Sequence, residues 1–283
     1  VSGSSPKLAA RRFANGLFVG FCYLVTAIAL IALAAVLWSL ASNGIGGLNL
    51  DVFTLPTPPT GVRGGLFNSI MGTIFVCGVG MSIALLVGVM AGTWLAEYSG
   101  SSRLGDAVRF LNDVLLSAPS ILIGVFVWGI LVGPFHSYSA IAGGVALSII
   151  AVPVITRTTE DVLRLQPTSL RESGVALGTP FWSVIRQILW RAASGGILTG
   201  ALLAFARISG ESAPLLFTAL GNQFTNWNPA KPISTLGQVI FAFALTPYDD
   251  LRRLAWAGAF IVTAAVLIVI IVARLLTTGQ KRP

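Results

Sequence analysis

Six apolar segments, each near the length needed to cross a lipid bilayer, leave this chain few ways to fold. They run approximately over 17–40, 70–96, 114–133, 139–155, 194–218 and 254–273, against the roughly 20 residues that a spanning helix needs. In hydrocarbon every backbone N–H and C=O must be satisfied within the element, so apolar runs of this length become helices. The fourth is short and holds Pro153, which a membrane helix tolerates when its neighbours re-satisfy the backbone. The first follows Lys7, Arg11 and Arg12 as a signal peptide would, yet its apolar core outruns the usual 7–15 residues, so it reads as an uncleaved span. A further stretch, 233–246, carries Gln238 and is too short to cross; it reads as interfacial or re-entrant and stays outside the count. The expectation is an all-α polytopic membrane protein, one transmembrane domain over 1–283, with a long internal loop at 156–193.

Charge supports this class and orients it. Charged residues are only 10% of the chain and hydrophobic ones 55%, whereas soluble domains carry about 25% charged residues. The net charge of +8 is spread singly or in pairs between apolar blocks, without the basic stripe that nucleic-acid binding requires. With the N-terminus inside, thirteen of the 18 Lys and Arg fall on the cytoplasmic side. Four (Arg63, Lys231, Arg252, Arg253) fall outside, and Arg207 lies within a span. That split follows the positive-inside rule and places both termini in the cytoplasm. Counting 233–246 as a span would instead throw Arg274, Lys281 and Arg282 outside.

Several chemistries are excluded on the same reading. Cys22 and Cys77 lie in apolar blocks with no metal-ligand spacing, and His136 stands without a carboxylate or thiol nearby. The spans hold no paired aspartates, no Ser/His pair and no His-Glu-x-x-His; Asp249 and Asp250 are adjacent in a loop. No Gly-x-x-x-x-Gly-Lys-Ser/Thr loop is present, so the chain is expected to bind no ATP and to be no enzyme. An ion-coupled carrier would show inverted halves, and no convincing internal repeat is seen.

The internal loop reads as a helical hairpin. Ser169 with Glu172 three residues on has the form of a capping box, predicting a helix over 170–177. Gly178 suits a left-handed stop, after which Thr179 caps a second helix with Pro180 at its first position. In that helix Phe181, Val184, Ile185, Ile188 and Leu189 form one apolar stripe opposite Ser183, Arg186, Gln187 and Arg191. Such a hairpin can present a knob to a soluble partner while its root stays at the membrane.

Arg207 and Glu211, four residues apart in the fifth segment, share a face if the helix is continuous. A charge near the bilayer centre costs about 2.5–3.5 kcal/mol on insertion scales, so such residues pair with each other or line a pathway. Either the two neutralise one another, or Arg207 offers its planar fork to an oxyanion while Glu211 orients it or accepts from a protonated anion. Gly88 and Gly92 in the second segment, and Gly196, Gly200 and Ala204 in the fifth, read as stripes for close helix approach.

Two runs carry a resemblance to a known family. Glu172-Ser173-Gly174-Val175-Ala176-Leu177-Gly178, followed by Ile188-Leu189, resembles the EAA loop of ABC-importer permeases, with Ser173 and Gly174 in place of two alanines. The family's proline after the apolar helix is replaced by Trp190-Arg191. Ala206-Arg207-Ile208-Ser209-Gly210-Glu211-Ser212-Ala213-Pro214-Leu215 is similar to the Ala-Arg-x-x-Gly-Glu-Thr-Ala-Pro-Leu signature of PstA-type phosphate permeases. Ala118-Pro119-Ser120-Ile121 and Pro153 to Glu160 fit the same family. The resemblance implies a type I ABC importer permease fold in a bacterial inner membrane and transport of inorganic phosphate, with other oxyanions (sulfate, molybdate, phosphonate) as rival substrates. It implies partners as well: a PstC-like permease completing a heterodimer, an extracytoplasmic phosphate-binding protein, and two ATPase subunits that hold the ATP and Mg. One ATPase would dock on Glu172, Ser173, Gly174, Gly178, Phe181 and Trp182, while Arg207 and Glu211 would line the substrate pathway.

Overall fold

The computed structural model describes residues 6–224 and 226–279. Lys281 and Arg282, which entered the charge count, lie outside the described residues. The chain runs through α1 (Pro6–Gly46), α2 (Leu50–Thr54), α3 (Phe67–Glu97), α4 (Arg103–Ser117), α5 (Ser120–Val127), α6 (Ala140–Arg164), α7 (Thr168–Ala176), α8 (Phe181–Val184), α9 (Trp190–Ser209), α10 (Ala213–Thr218), α11 (Leu236–Ala244) and α12 (Asp249–Gly279). Among the described residues the only β pairing is an isolated bridge between Leu220 and Ile233. A π-helical turn, Ile185–Leu189, joins α8 and α9 into one helix over Phe181–Ser209. Five helices are long and apolar enough to cross a membrane, or six if α4 and α5 count as one bent span.

Three of the expected segments differ in detail, each for a reason traceable to proline or glycine. The third, expected to run unbroken over 114–133, is divided: α4 and the Ser120–Val132 helix meet at 106°. Ala118, which precedes Pro119, is extended (φ −66, ψ 133), because a residue before proline is pushed out of the helical region. The fourth is longer than expected, since α6 passes through Pro153 without ending and continues to Arg164. The connecting loop therefore begins at Leu165 instead of residue 156. The fifth, expected over 194–218, stops at Ser209 and resumes as α10, with Gly210 at the C-cap and Pro214 in the first turn of the new helix. The 233–246 stretch holds α11, nine residues long; at about 1.5 Å per residue it cannot cross a bilayer.

α6 is the centre of the bundle, with α3 on one side and α9 on the other. Small residues permit both approaches. A Cβ on Gly92 would stand 2.5 Å from the Thr156 carbonyl oxygen and 2.7 Å from Thr159 Cβ. On the other side one on Gly196 would stand 2.5 Å from the Val162 methyls, and one on Gly200 would strike Thr158. Leu147, Ile150, Ala151 and Ile155 of α6 are buried between these neighbours with Val76, Ala84, Ala204 and Ile208. α1 is different: its apolar faces are exposed all round (Phe18, Ile28, Leu33), and it touches the rest through α12, where Gly44 and Gly47 admit Phe260 and the Arg253 carbonyl.

The two ends of the bundle are held by different chemistry. At the end where α3 begins, neutral groups form a buried network. Thr57 Oγ1 donates to Asn68 Oδ1 (2.6 Å), Asn68 Nδ2 donates to the carbonyls of Asn222 and Gln223, and the Ser69 and Ser234 hydroxyls lie 2.9 Å apart. Gln238 Nε2 donates to the Leu215 carbonyl at 2.6 Å and Thr235 Oγ1 to Gln238 Oε1, fixing the start of α11. The opposite end is ionic.

Replacing Gly92 with valine should wedge α3 from α6 at a cost of about 1–3 kcal/mol. Thermal unfolding in detergent should show a lowered midpoint, while Gly78→Val, where a Cβ meets open space, should leave it unchanged.

Candidate functional site

The ionic end gathers the hairpin and the tips of α3, α4 and α6. α7 begins directly after Pro167, with no side-chain cap. The expected capping box is therefore not formed: Ser169 lies inside the helix instead of at its cap. The stop at Gly178 is as expected, at φ +71, and its N–H donates to the Val175 carbonyl at 2.9 Å. Pro180 stands at the N-cap of α8 and not one position further in, and Thr179 makes no cap. The Pro180 carbonyl instead accepts from Ser183 and Val184.

The hairpin folds so that its two helices pack without a spacer. Gly174 is buried, and a Cβ there would meet both Val184 methyls at 2.8 Å. Phe181 is half-buried and meets the Tyr98 ring edge-on, centroids 5.5 Å apart. Of the apolar stripe, Val184, Ile185 and Leu189 are fully buried, and Arg186, Gln187 and Arg191 face out. Glu172, Ser173 and Gly178 are exposed, and so are Val175, Leu177 and, in part, Trp182, whose ring lies edge-to-face with that of Trp190, centroids 5.5 Å apart. Thus Gly174 and Phe181 turn inward as packing groups, while Glu172, Ser173, Gly178 and Trp182 share the outer surface with Leu177, which is 83% exposed.

Three buried or half-buried ion pairs hold this end, and sequence spacing alone discloses only one of them. Glu160, 4% exposed in its side chain, pairs with Arg164 four residues on and accepts from Arg109 Nε of α4, both at 2.8 Å. Arg109 also donates to the Leu95 carbonyl and Ser99 Oγ, binding α4 to the tip of α3. The third pair joins Arg171 to Glu97, the last residue of α3: Nε to Oε2 at 2.8 Å and Nη2 to Oε1 at 2.6 Å. Two further donations reach the carbonyls of Gln166 and Leu163, both at 2.8 Å. Glu97 and Arg171 stand 74 residues apart in sequence, and no local pattern pairs them. A half-buried Arg–carboxylate fork is shorter and stronger than a neutral hydrogen bond.

Arg207 and Glu211 are not brought together. Arg207 is exposed in the last turn of α9, the helix ends two residues later, and Glu211 sits half-buried in the break. No ion pair joins them to each other or to another described side chain, so the shared helical face expected for them does not exist. The Glu211 carbonyl instead abuts Gly237 at the start of α11, where a Cβ would lie 2.7 Å away. No cluster of three metal-ligating side chains occurs among the described residues.

Substituting Gly178 with alanine should cost about 1–2 kcal/mol, the penalty for an L-residue in the left-handed region. Hydrogen exchange of the 168–180 amides should accelerate in Gly178→Ala and less so in Gly178→Asn, because asparagine tolerates that conformation.

Comparison with known proteins places this geometry. Residues 84–282 match the family model described as binding-protein-dependent transport system inner membrane component. The chain is 47% identical over 271 residues to the phosphate transport system permease protein PstA of Haemophilus influenzae, covering 96% of each. It is 48% identical over 248 residues to the protein of the same name from Xylella fastidiosa, covering 87% of this chain and 86% of the other. Among solved structures, an inward-facing MetNI methionine ABC transporter chain superposes with a TM-score of 0.65 at 20% identity, over 77% of this chain and 96% of that one.

Proposed function

The chain belongs to the binding-protein-dependent transport system inner membrane component family and is a PstA-type permease; from that premise we propose how its parts divide the work of importing inorganic phosphate. It is a multi-pass membrane subunit of an ATP-driven importer and supplies half of the translocation pathway. A PstC-like permease supplies the other half. The bundle end that carries the hairpin and the Glu97 and Glu160 ion pairs faces the cytoplasm, with both termini on that side, and the end that carries the neutral network faces out toward a phosphate-binding protein. The chain itself is non-catalytic, and ATP and Mg are held by two ATPase subunits.

One observation carries the docking role. The hairpin exposes Glu172, Val175 and Leu177 beyond the bundle while on its inner face Gly174 and Val184 are buried and Phe181 half-buried. An exposed apolar knob with a fixed root costs hydration unless a partner covers it. One ATPase subunit fits this description, with Glu172, Ser173, Gly178 and Trp182 at the contact and Gly174 and Phe181 shaping it. ATP-driven closure of the ATPases then moves the hairpin and switches the side to which the pathway opens.

For the cargo, Arg207 is the group of suitable chemistry. It is exposed at the end of α9 and makes no ion pair with a described carboxylate, so its fork is free for an oxyanion. Glu211, beside the start of α11, is placed to accept from a protonated phosphate oxygen.

Uptake of radiolabelled phosphate at micromolar concentration, in a strain lacking this chain, tests the reading. Wild type should restore uptake, and excess sulfate or molybdate should not compete. Arg207→Ala should lower uptake roughly tenfold or more, as loss of a charged hydrogen bond would. Glu172→Lys should abolish both uptake and capture of the ATPase by the purified permease. Competition by sulfate or molybdate would move the substrate assignment to that oxyanion, and unimpaired uptake by Arg207→Ala would remove Arg207 from the pathway.

A further inference from the structure

α3 meets the hairpin on both sides of its elbow. Before the elbow, Glu97 takes the two-pronged hydrogen bond from Arg171 of α7. After it, Tyr98, the next residue of the α3 tip, stacks edge-on against Phe181 of α8. One turn back, Thr93 Oγ1 accepts from Trp190 Nε1 at 3.0 Å. The exposed residues of the hairpin play no part in these contacts.

The acid–base pair differs from the other two contacts in reach. The Glu97 side chain is 2% exposed and that of Arg171 20%. The same guanidinium donates to the Leu163 and Gln166 carbonyls, where α6 ends and the chain turns toward α7. One side chain of the docking helix thus holds the ends of both central helices, α3 and α6, which share the most extensive interface in the molecule. Displacing α7 without displacing α3 requires opening a largely buried fork, leaving Glu97 an unpaired buried charge.

We infer that the Glu97–Arg171 pair is the joint through which movement of the docking hairpin reaches the membrane helices, so that breaking it uncouples ATP hydrolysis from transport while docking persists. Both residues are positioning residues: neither touches cargo or nucleotide. The inference rests on the proposed role of the hairpin and goes beyond it, because docking alone requires only the outer surface. A merely structural role would weaken assembly and transport together; a transmitting role separates them.

The test uses the complete importer in proteoliposomes, with binding protein, and reads three quantities: ATPase subunit retained on the purified permease, ATP hydrolysed, and phosphate transported per ATP. Glu97→Gln removes the charge on α3, outside the docking surface itself, Arg171→Ala removes the fork, and Glu97→Arg with Arg171→Glu reverses the pair. The single variants should retain the ATPase and hydrolyse ATP while phosphate per ATP falls at least about fivefold, the lower range of coupling between sites. The reversed pair should recover at most part of the loss, because a carboxylate at 171 cannot donate to the Leu163 and Gln166 carbonyls. An unchanged ratio in Glu97→Gln overturns the inference. So does loss of the ATPase subunits from Glu97→Gln, which would leave the pair a role in shaping the loop; should Arg171→Ala alone fail to assemble, Glu97→Gln decides. If wild type transports no phosphate, the cargo assignment has failed separately. The joint is then read from the ATP-dependent labelling of Ser212→Cys in a chain with Cys22 and Cys77 replaced by serine. A labelling change that Glu97→Gln abolishes sustains the inference, and one that it leaves intact overturns it.

Discussion

Two membrane helices approach to backbone contact only where side chains stand aside, and α6 depends on that condition along both flanks. Gly88 and Gly92 bring α3 against Ile155 and Thr156; Gly196 and Gly200 bring α9 against Val162 and Thr158. Lipid offers no hydrophobic reason for helices to associate, so van der Waals contact at small residues and interhelical hydrogen bonds must supply the attraction. The rest is arranged around the resulting core. α4 crosses it and donates from Asn112 to the Pro153 carbonyl, α5 packs against α10, and the hairpin hangs from the tips of α3 and α6.

The two ends differ in their buried polar groups. At the end built from Thr57, Asn68, Ser69, Ser234 and Gln238, neutral groups satisfy one another and hold an irregular stretch of chain in place. Neutral networks of this kind fix geometry at a modest net contribution per bond, about 0.5–1.5 kcal/mol. At the other end buried carboxylates, Glu97 and Glu160, are each held by arginine. Opening such a pair is costly, about 3–5 kcal/mol when one partner is removed. The second kind of bond therefore ties the hairpin to the bundle more firmly than the first kind ties the opposite end.

Much of this was legible in the residues. Apolar length identified the membrane helices, the small-residue stripes marked close-packing faces on α3 and α9 without naming α6 as their partner, and Gly178 marked the elbow because a glycine between two helical patterns suits a left-handed stop. What escaped the sequence was broken by local chemistry inside uniformly apolar runs. Pro119 and Gly210 interrupt segments whose hydropathy gives no sign of a bend, so one span was expected where the helix turns by 106°, and a shared Arg207–Glu211 face where the helix ends at Ser209. The capping box failed because Pro167 began the helix earlier than Ser169 would have. The Glu97–Arg171 pair was invisible for another reason: contacts across 74 residues leave no periodic trace, and Glu97 alone reads as an ordinary charge at a span's edge and Arg171 as one more in the internal loop.

The uninterrupted helix from Phe181 to Ser209 has a mechanical consequence. Its 29 residues make a rod about 43 Å long, at about 1.5 Å of rise per residue. One end stands at the Gly178 elbow and the other carries Arg207. A rod of that length pivoting by about 5° at its base sweeps its tip through about 4 Å, further than the 2.7–3.2 Å separating the partners of a hydrogen bond. A change of a few degrees at the root therefore moves the guanidinium by more than the length of a hydrogen bond.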